Sequence, residues 1–253
     1  MNEISKVKFF KTILAIVEIL GLWWIFCIAL NKDVLPSPYE SLVAMIGLIS
    51  SGDILVHLVS SFNRVVIGSV IGIVFAIPSG MILGYNKTLE GLFGSAFDLL
   101  YTIPKVIFLP IIIVLFGIGN LPKIFLISTV LYFQQTVVIR DRIKKLPPNM
   151  NNTIKIMGAG WYETVKYLLL PYCLPDVMTS LRSSLGTSIA MLFIIENFAS
   201  VDGLGYYISM MMDQRNYSEM YGAIIILALM GWGIYYIIEI IERKICKWRY
   251  VVN

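Results

Sequence analysis

The sequence predicts an all-α integral membrane protein, with six transmembrane helices and a glycine-hinged cytosolic helix pair between spans four and five. Three observations carry that prediction. Of the 253 residues, 58% are hydrophobic and 14% are charged, whereas soluble domains carry roughly a quarter charged residues. The apolar residues come in long blocks, as bilayer-crossing helices require. Lysine and arginine gather in alternate connecting segments, as they do when a chain threads a membrane repeatedly.

The elements follow in order. MNEISKVKFFKT precedes an apolar run that predicts span one at 12–30. No small-residue cleavage site follows it, so the reading is a retained anchor rather than a signal peptide. An outer segment, 31–63, opens with LPSPYES, a turn leading into an amphipathic helix. SGDILVHLVSSFNR, 51–64, is expected to begin as an interfacial helix, with His57, Ser61 and Arg64 on one face at i, i+4, i+7. Span two is expected at 64–84 and span three at 97–117. Gly68 with Gly72, and Gly80 with Gly84, form GxxxG pairs that let backbones approach closely in lipid. Pro78, Pro104 and Pro110 are expected to kink or loosen their helices. Span four is expected at 122–139, span five at 176–198 and span six at 219–241.

With the N-terminus inside, the cytosolic pieces are 1–11, 85–96, 140–175 and 242–253, and they hold fourteen of the 20 basic residues. Lys32, Lys123 and Arg215 fall in the outer loops. Both termini are therefore expected in the cytosol.

The composition also excludes classes. A net charge of +4 spread along the chain is no nucleic-acid face. Cys27, Cys173 and Cys246 lie far apart, with neither disulfide nor metal-ligand spacing. One histidine cannot build a His-rich metal site. No P-loop, GxSxG, HExxH or paired-carboxylate cluster is present, so neither a metal site nor a catalytic constellation is expected, and the chain is read as a non-enzyme. Work against a gradient must draw energy from a partner or an ion. An ion-coupled transporter is the competing class, but neither an inverted repeat nor membrane-embedded acids are seen in the sequence.

Polar residues inside spans are expensive in lipid and default to functional candidates. Span four offers Gln134, Gln135 and Thr136; span five offers Thr179, Ser183 and Thr187, with Ser180, Ser184 and Ser188 on one face. These two sets are candidates for a solute path, with interhelical hydrogen bonding as the alternative. Arg182 is expected to pair with a buried acid, reach the cytosolic surface, or meet an anionic solute.

The segment between spans four and five carries a family resemblance. NTIKIMGAGWYETVKYLLLPYCLP, 152–175, resembles the cytosolic motif of ABC importer permeases, with Gly158 and Leu170-Pro171 in register. The family's EAA triplet is replaced by Asn152, Thr153 and Ile154. LPSP at 35–38, the H…S..R opening of 57–84, IPKVIFLPIIIVLFGIGN at 103–120 and IIENFASVDGLGYYI at 194–208 resemble the nitrate/taurine/sulfonate branch of the same permeases. The resemblance spans roughly 35–240. It implies one permease domain over 1–253, with a core at 55–241 and a cytosolic coupling region at 141–175.

The resemblance further implies a homodimer in the bacterial cytoplasmic membrane, two partner ATPases that bind the ATP and magnesium, and an extracytoplasmic binding protein. The coupling surface would be Asn152, Thr153, Ile154, Ile156, Met157, Gly158, Ala159 and Trp161. Gly158 would permit the sharp turn, and Pro171 and Pro175 are expected to break the returning helix before span five. Glu196, Gly203 and Gly205 would form an outer gate beside the binding-protein docking surface, the glycines letting that loop turn tightly. The implied solute is an aliphatic sulfonate, taurine, nitrate or a vitamin precursor.

Overall fold

Long apolar helices in lipid must satisfy every backbone group internally, and the chain is built accordingly. A computed structural model describes residues 3–30, 34–198 and 200–250; within the first helix, side chains are described only at 14 and from 17 onward. Lys6, Lys8, Lys11 and Lys32, used above for orientation, therefore lie outside the described side chains. Among the described residues the elements are α1 (Glu3–Leu30), α2 (Pro38–Ser51), α3 (Asp53–Tyr85), α4 (Lys87–Thr102), α5 (Leu109–Phe116), α6 (Asn120–Lys144), α7 (Pro148–Ile156), α8 (Trp161–Thr164), α9 (Leu170–Phe198), α10 (Leu204–Asp213) and α11 (Tyr217–Ile245).

Four helical stretches are each long and apolar enough to cross a membrane: Asp53–Tyr85, Asn120–Lys144, Trp161–Phe198 and Tyr217–Ile245. A fifth span exists if α4 and the stretch Lys105–Phe116, bent by 82° to each other, count as one. The described apolar part of α1, Val17–Leu30, is shorter than a span. Among the described residues four to five spans thus stand where six were expected, and expected span one begins outside the described side chains.

Span three is corrected from one helix to a broken pair. Ile103, which precedes Pro104, is extended, because the proline ring excludes the helical conformation there. The break frees carbonyls, and Lys105 satisfies them. Its Nζ donates to the carbonyls of Leu100 (2.5 Å), Tyr101 (3.1 Å) and Ile103 (2.7 Å). The same ammonium lies 4.5 Å from the centre of the Phe133 ring. Pro110 sits in the first turn of α5, where its missing N–H costs nothing. Pro78 lies within an uninterrupted α3.

The 51–64 stretch is not an interfacial helix separate from span two. Ser37 caps α2 in a capping box with Glu40, and Gly52 in the left-handed region (φ 84°) ends it. From Asp53 the chain then runs as one helix of 33 residues. At 1.5 Å per residue it is about 50 Å long, more than the roughly 30 Å hydrocarbon layer, so it projects beyond it.

The α3–α6 seam is the spine of the fold. Gly68, Gly72, Ala76, Gly80 and Gly84 recur every fourth residue along α3. A Cβ added at Gly72 would lie 2.8 Å from the Ser128 carbonyl, at Gly80 2.6 Å from Ile139 Cβ, and at Gly84 2.8 Å from the Arg140 carbonyl. The GxxxG pairs thus act as close helix packing. A second core joins α9, α10 and α11 around Leu181, Leu192, Leu204, Ile208 and Ile226.

The returning helix is not broken by its prolines. The chain is helical from Trp161 to Phe198, with a π-helical turn over Val165–Leu169. There the Leu170 N–H donates to the Val165 carbonyl, five residues back. The wider turn just before Pro171 makes room for its ring against the preceding turn, so the helix continues.

Candidate functional site

The described residues present three candidate regions, set by where the long helices end. The first is the elbow formed by α7. Pro147 and Pro148 start this nine-residue helix, and none of its residues is buried. Gly158 ends it with φ 78°, a left-handed conformation that costs other residues about 1–2 kcal/mol. Asn152 and Thr153 are exposed, Ile154 and Ala159 half-buried. Thr153 Oγ1 donates to its own helix at the Asn149 carbonyl, 2.8 Å. Ile156 and Met157 stand 86% and 79% exposed, large apolar side chains with nothing over them.

Two contacts clip the elbow to the end of α3. Tyr85 Oη donates to Asn151 Oδ1 at 2.8 Å, and the Tyr85 ring lies 5.5 Å from that of Trp161. Trp161 thus faces α3 in part as well as solvent. Sequence reasoning missed Tyr85 and Asn151, since a tyrosine ending a span carries no motif.

The second region is the exposed face of α9. Thr179, Ser183, Gly186, Thr187 and Ala190 lie on it at helical spacing. Ser184 and Ser188 are buried on the other side, each donating to the carbonyl four residues back. Gln134 is half-buried. Gln135 and Thr136, paired with it above as path candidates, are 0% exposed. They lie in the packing of α6 within one chain, because their side of the helix turns inward.

The third region is a buried ion cluster at the opposite end. His57, Ser61 and Arg64 do share a face of α3, and all three turn to the α9–α10 loop. Arg64 Nη1 donates to Glu196 Oε1 (2.6 Å) and to the Asp202 carbonyl (3.1 Å), and Nε donates to Asn120 Oδ1 (2.8 Å). Its Nη2 pairs with the Asp202 carboxylate. Arg64 and Glu196 are 2% and 0% exposed. Ser61 Oγ donates to Glu196 and accepts from the Leu204 N–H (2.8 Å). His57 Nδ1 accepts the Gly203 N–H at 3.1 Å, which puts the ring proton on Nε2.

Gly203 and Gly205 serve this cluster differently. Gly203 turns the chain at φ 111°, and a Cβ there would meet Glu196 Cδ at 2.3 Å. Gly205 lies in the first turn of α10 and does not turn the loop; a Cβ there would meet Glu196 Cβ at 2.9 Å. Its role is close approach. Asp202, in the loop, is pushed up by burial, but hydrogen bonds from Arg64 and Ser60 and the positive charges of Arg64 and Lys123 outweigh that, holding it below the usual carboxylate value. Lys123, counted above as an outer-loop cation, is 2% exposed, and its Nζ donates to Ser200 Oγ at 2.7 Å. Being near the start of α6, it turns into the cluster.

Two acids lie buried in the long helices, Glu196, named above for the outer gate, and Glu242, just past the expected end of span six. Glu196 and Glu242 are both fully buried, and both are paired with arginine, Glu242 with Arg182 at 2.9 Å.

Known transport proteins resemble the chain in sequence and fold. The chain is 28% identical over 222 residues to SsuC of Bacillus subtilis (strain 168), named as an aliphatic sulfonates transport permease protein, covering 87% of this chain and 79% of that one. It is 23% identical to the taurine transport system permease protein TauC of Escherichia coli (strain K12), covering 76% of this chain and 70% of that one. Among solved structures, a bacterial ABC transporter involved in import of the acidic polysaccharide alginate superposes with a TM-score of 0.69 at 14% identity, over 96% of this chain and 98% of that one. The MetNI methionine ABC transporter in an inward-facing form superposes with a TM-score of 0.62 at 17% identity, over 76% of this chain and 93% of that one. The family model for the binding-protein-dependent transport system inner membrane component matches residues 68–247, and the chain belongs to that family, as a non-catalytic permease subunit of an ABC transporter.

Proposed function

We propose that the whole chain, paired with a second copy of itself, forms the translocation path of an ATP-driven importer. In this reading α7 is the coupling helix, cytosolic together with both termini. It seats in a groove on each of two partner ATPases, which bind the ATP and magnesium. The observation that carries the reading is the elbow itself: a rigid nine-residue helix hinged at Gly158, clipped to α3 through Tyr85, with Ile156 and Met157 uncovered.

Asn152 offers a neutral hydrogen bond where the family pattern has a charged one, about half as strong. The apolar tip therefore supplies more of the grip, and the partner groove is correspondingly apolar. Thr179, Ser183 and Thr187 face the path from α9, with Gln134 at its margin. Glu196, Gly203 and Gly205 belong to an outer gate, where the extracytoplasmic binding protein docks over the Arg64 cluster. The relatives' names favour a small sulfonate or taurine-like solute.

Reconstitution of the chain with its ATPase and binding protein in proteoliposomes tests this. Ethanesulfonate uptake is expected to require ATP and the binding protein. Uptake driven by an ion gradient without the ATPase would refute it and favour the ion-coupled class.

A further inference from the structure

A second, smaller charge cluster lies where the exposed face of α9 meets the C-terminal segment. Glu242, fully buried near the end of α11, faces two guanidinium groups. Arg182 Nη2 lies 2.9 Å from its Oε2, and Arg249 Nη1 lies 2.7 Å from its Oε1. Arg249 Nη1 also donates to Thr179 Oγ1 at 3.1 Å. Thr179 is the residue at the elbow end of the exposed stripe Thr179, Ser183, Thr187. A segment beyond the last span thus reaches back onto the face assigned to the path.

Among the described residues the charges do not balance. Two guanidinium groups carry +2 and Glu242 supplies −1. The other carboxylates nearby along these helices have their own cations: Asp176 pairs with Arg142 at 2.8 Å and Glu239 with Arg243 at 2.6 Å. Each guanidinium has five N–H donors in a planar fork suited to an oxyanion. Glu242 occupies few of them, and Arg182 Nε, though buried, has no hydrogen-bond partner among the described residues. Arg182 is also set in place by the Tyr235 ring, 5.6 Å away. Arg182 is 19% and Arg249 46% exposed, so neither guanidinium is sealed off.

We infer that Arg182 and Arg249 form an oxyanion site at the elbow end of the path, one that takes the sulfonate or carboxylate head of a small solute. The inference rests on the importer reading for its place in transport. Glu242 holds the two guanidinium groups apart and fixes their forks, and the uncompensated positive charge draws the anion along α9. Thr179, whose hydroxyl donates to the Pro175 carbonyl at 2.9 Å, accepts from Arg249 and so sets the direction of its fork. The permease then selects for charge on its own account.

The experiment measures equilibrium binding of radiolabelled ethanesulfonate to the permease–ATPase complex in phosphatidylcholine nanodiscs, with ethyl methyl sulfone as the uncharged competitor. Saturable binding is expected, unaffected by the sulfone. Arg249→Gln, which alters a half-exposed side chain, is expected to weaken it about tenfold or more, because a charge-assisted bond and one unit of charge are lost. Arg249→Lys is expected to recover most of it. Wild-type-like binding by Arg249→Gln, equal competition by the sulfone, or no binding at all would overturn the site. Nanodiscs containing phosphatidylglycerol separate a lipid headgroup from a solute: complete loss of ethanesulfonate binding there would overturn the solute assignment. Retention of the ATPase is scored in the same preparation. Its absence, with sulfonate binding intact, would overturn the importer reading and support the anion site.

Discussion

Replacing Gly203 by alanine strikes the outer cluster at its tightest point. Gly203 has φ 111° and ψ 156°, a region essentially reserved for glycine; another residue there costs about 1–3 kcal/mol. The new Cβ would also stand 2.3 Å from Glu196 Cδ and 2.6 Å from Arg64 Nη1, both in a buried pair. The pair must separate or the loop must lift, and disrupting a buried pair costs about 3–5 kcal/mol. A combined loss of about 3 kcal/mol or more is expected, or roughly a hundredfold in a local opening equilibrium. Gly117→Ala is the control. It has φ 76° and ψ −178°, and its Cβ would meet nothing within 4 Å, so only the backbone cost applies.

The assay is amide hydrogen exchange in nanodiscs, read at Leu204 and Gly205. Their N–H groups donate to Ser61 Oγ and Glu196 Oε2, both at 2.8 Å. Gly203→Ala is expected to speed exchange there about a hundredfold, by the same arithmetic. Exchange within about twofold of wild type would refute the idea that this loop is held by a packed ion cluster.

Further predictions concern the helices. Gly80→Val forces α3 away from Ile139, at a cost of about 1–3 kcal/mol for overpacking, and should shorten the thermal half-life of the purified protein. Lys105→Met leaves three carbonyls at the broken span without their ammonium, at about 1–3 kcal/mol for a buried unmet group; faster proteolysis near 100–108 checks it. Asp202 has a carboxyl held below its unfolded value, so its contribution is fully present above that value and lost as pH falls through the folded one. Asp202→Asn should therefore remove the part of the acid-induced rise in loop exchange, corrected for intrinsic rate, that falls below about pH 4. An acid rise identical in the two chains would contradict it.

Much of the helical layout was legible because long apolar blocks and glycine spacing are local signals. The Gly68–Gly84 series reads directly as a close seam, and the i, i+4, i+7 placement of His57, Ser61 and Arg64 put three of the cluster residues on one face. Their partners, Glu196 and Asp202, lie more than a hundred residues away and could not be matched by spacing. The prolines act differently from one another. Pro104 interrupts its span as a proline signal suggests, with Lys105 satisfying the freed carbonyls, whereas Pro171 is accommodated by a π-helical turn that no residue pattern announces. Gln135 and Thr136 show the limit for polar span residues: composition marks them, but only packing decides which side of α6 faces inward.

The central claim is that the α7 elbow is the grip for a partner ATPase. Its most direct test is co-purification of the candidate ATPase with wild type and with Ile156→Asp/Met157→Asp, which changes two side chains that stand exposed among the described residues. The account predicts that wild type retains the ATPase and that the variant inserts normally but loses it. An ATPase that stays bound to the variant as to wild type would contradict the account.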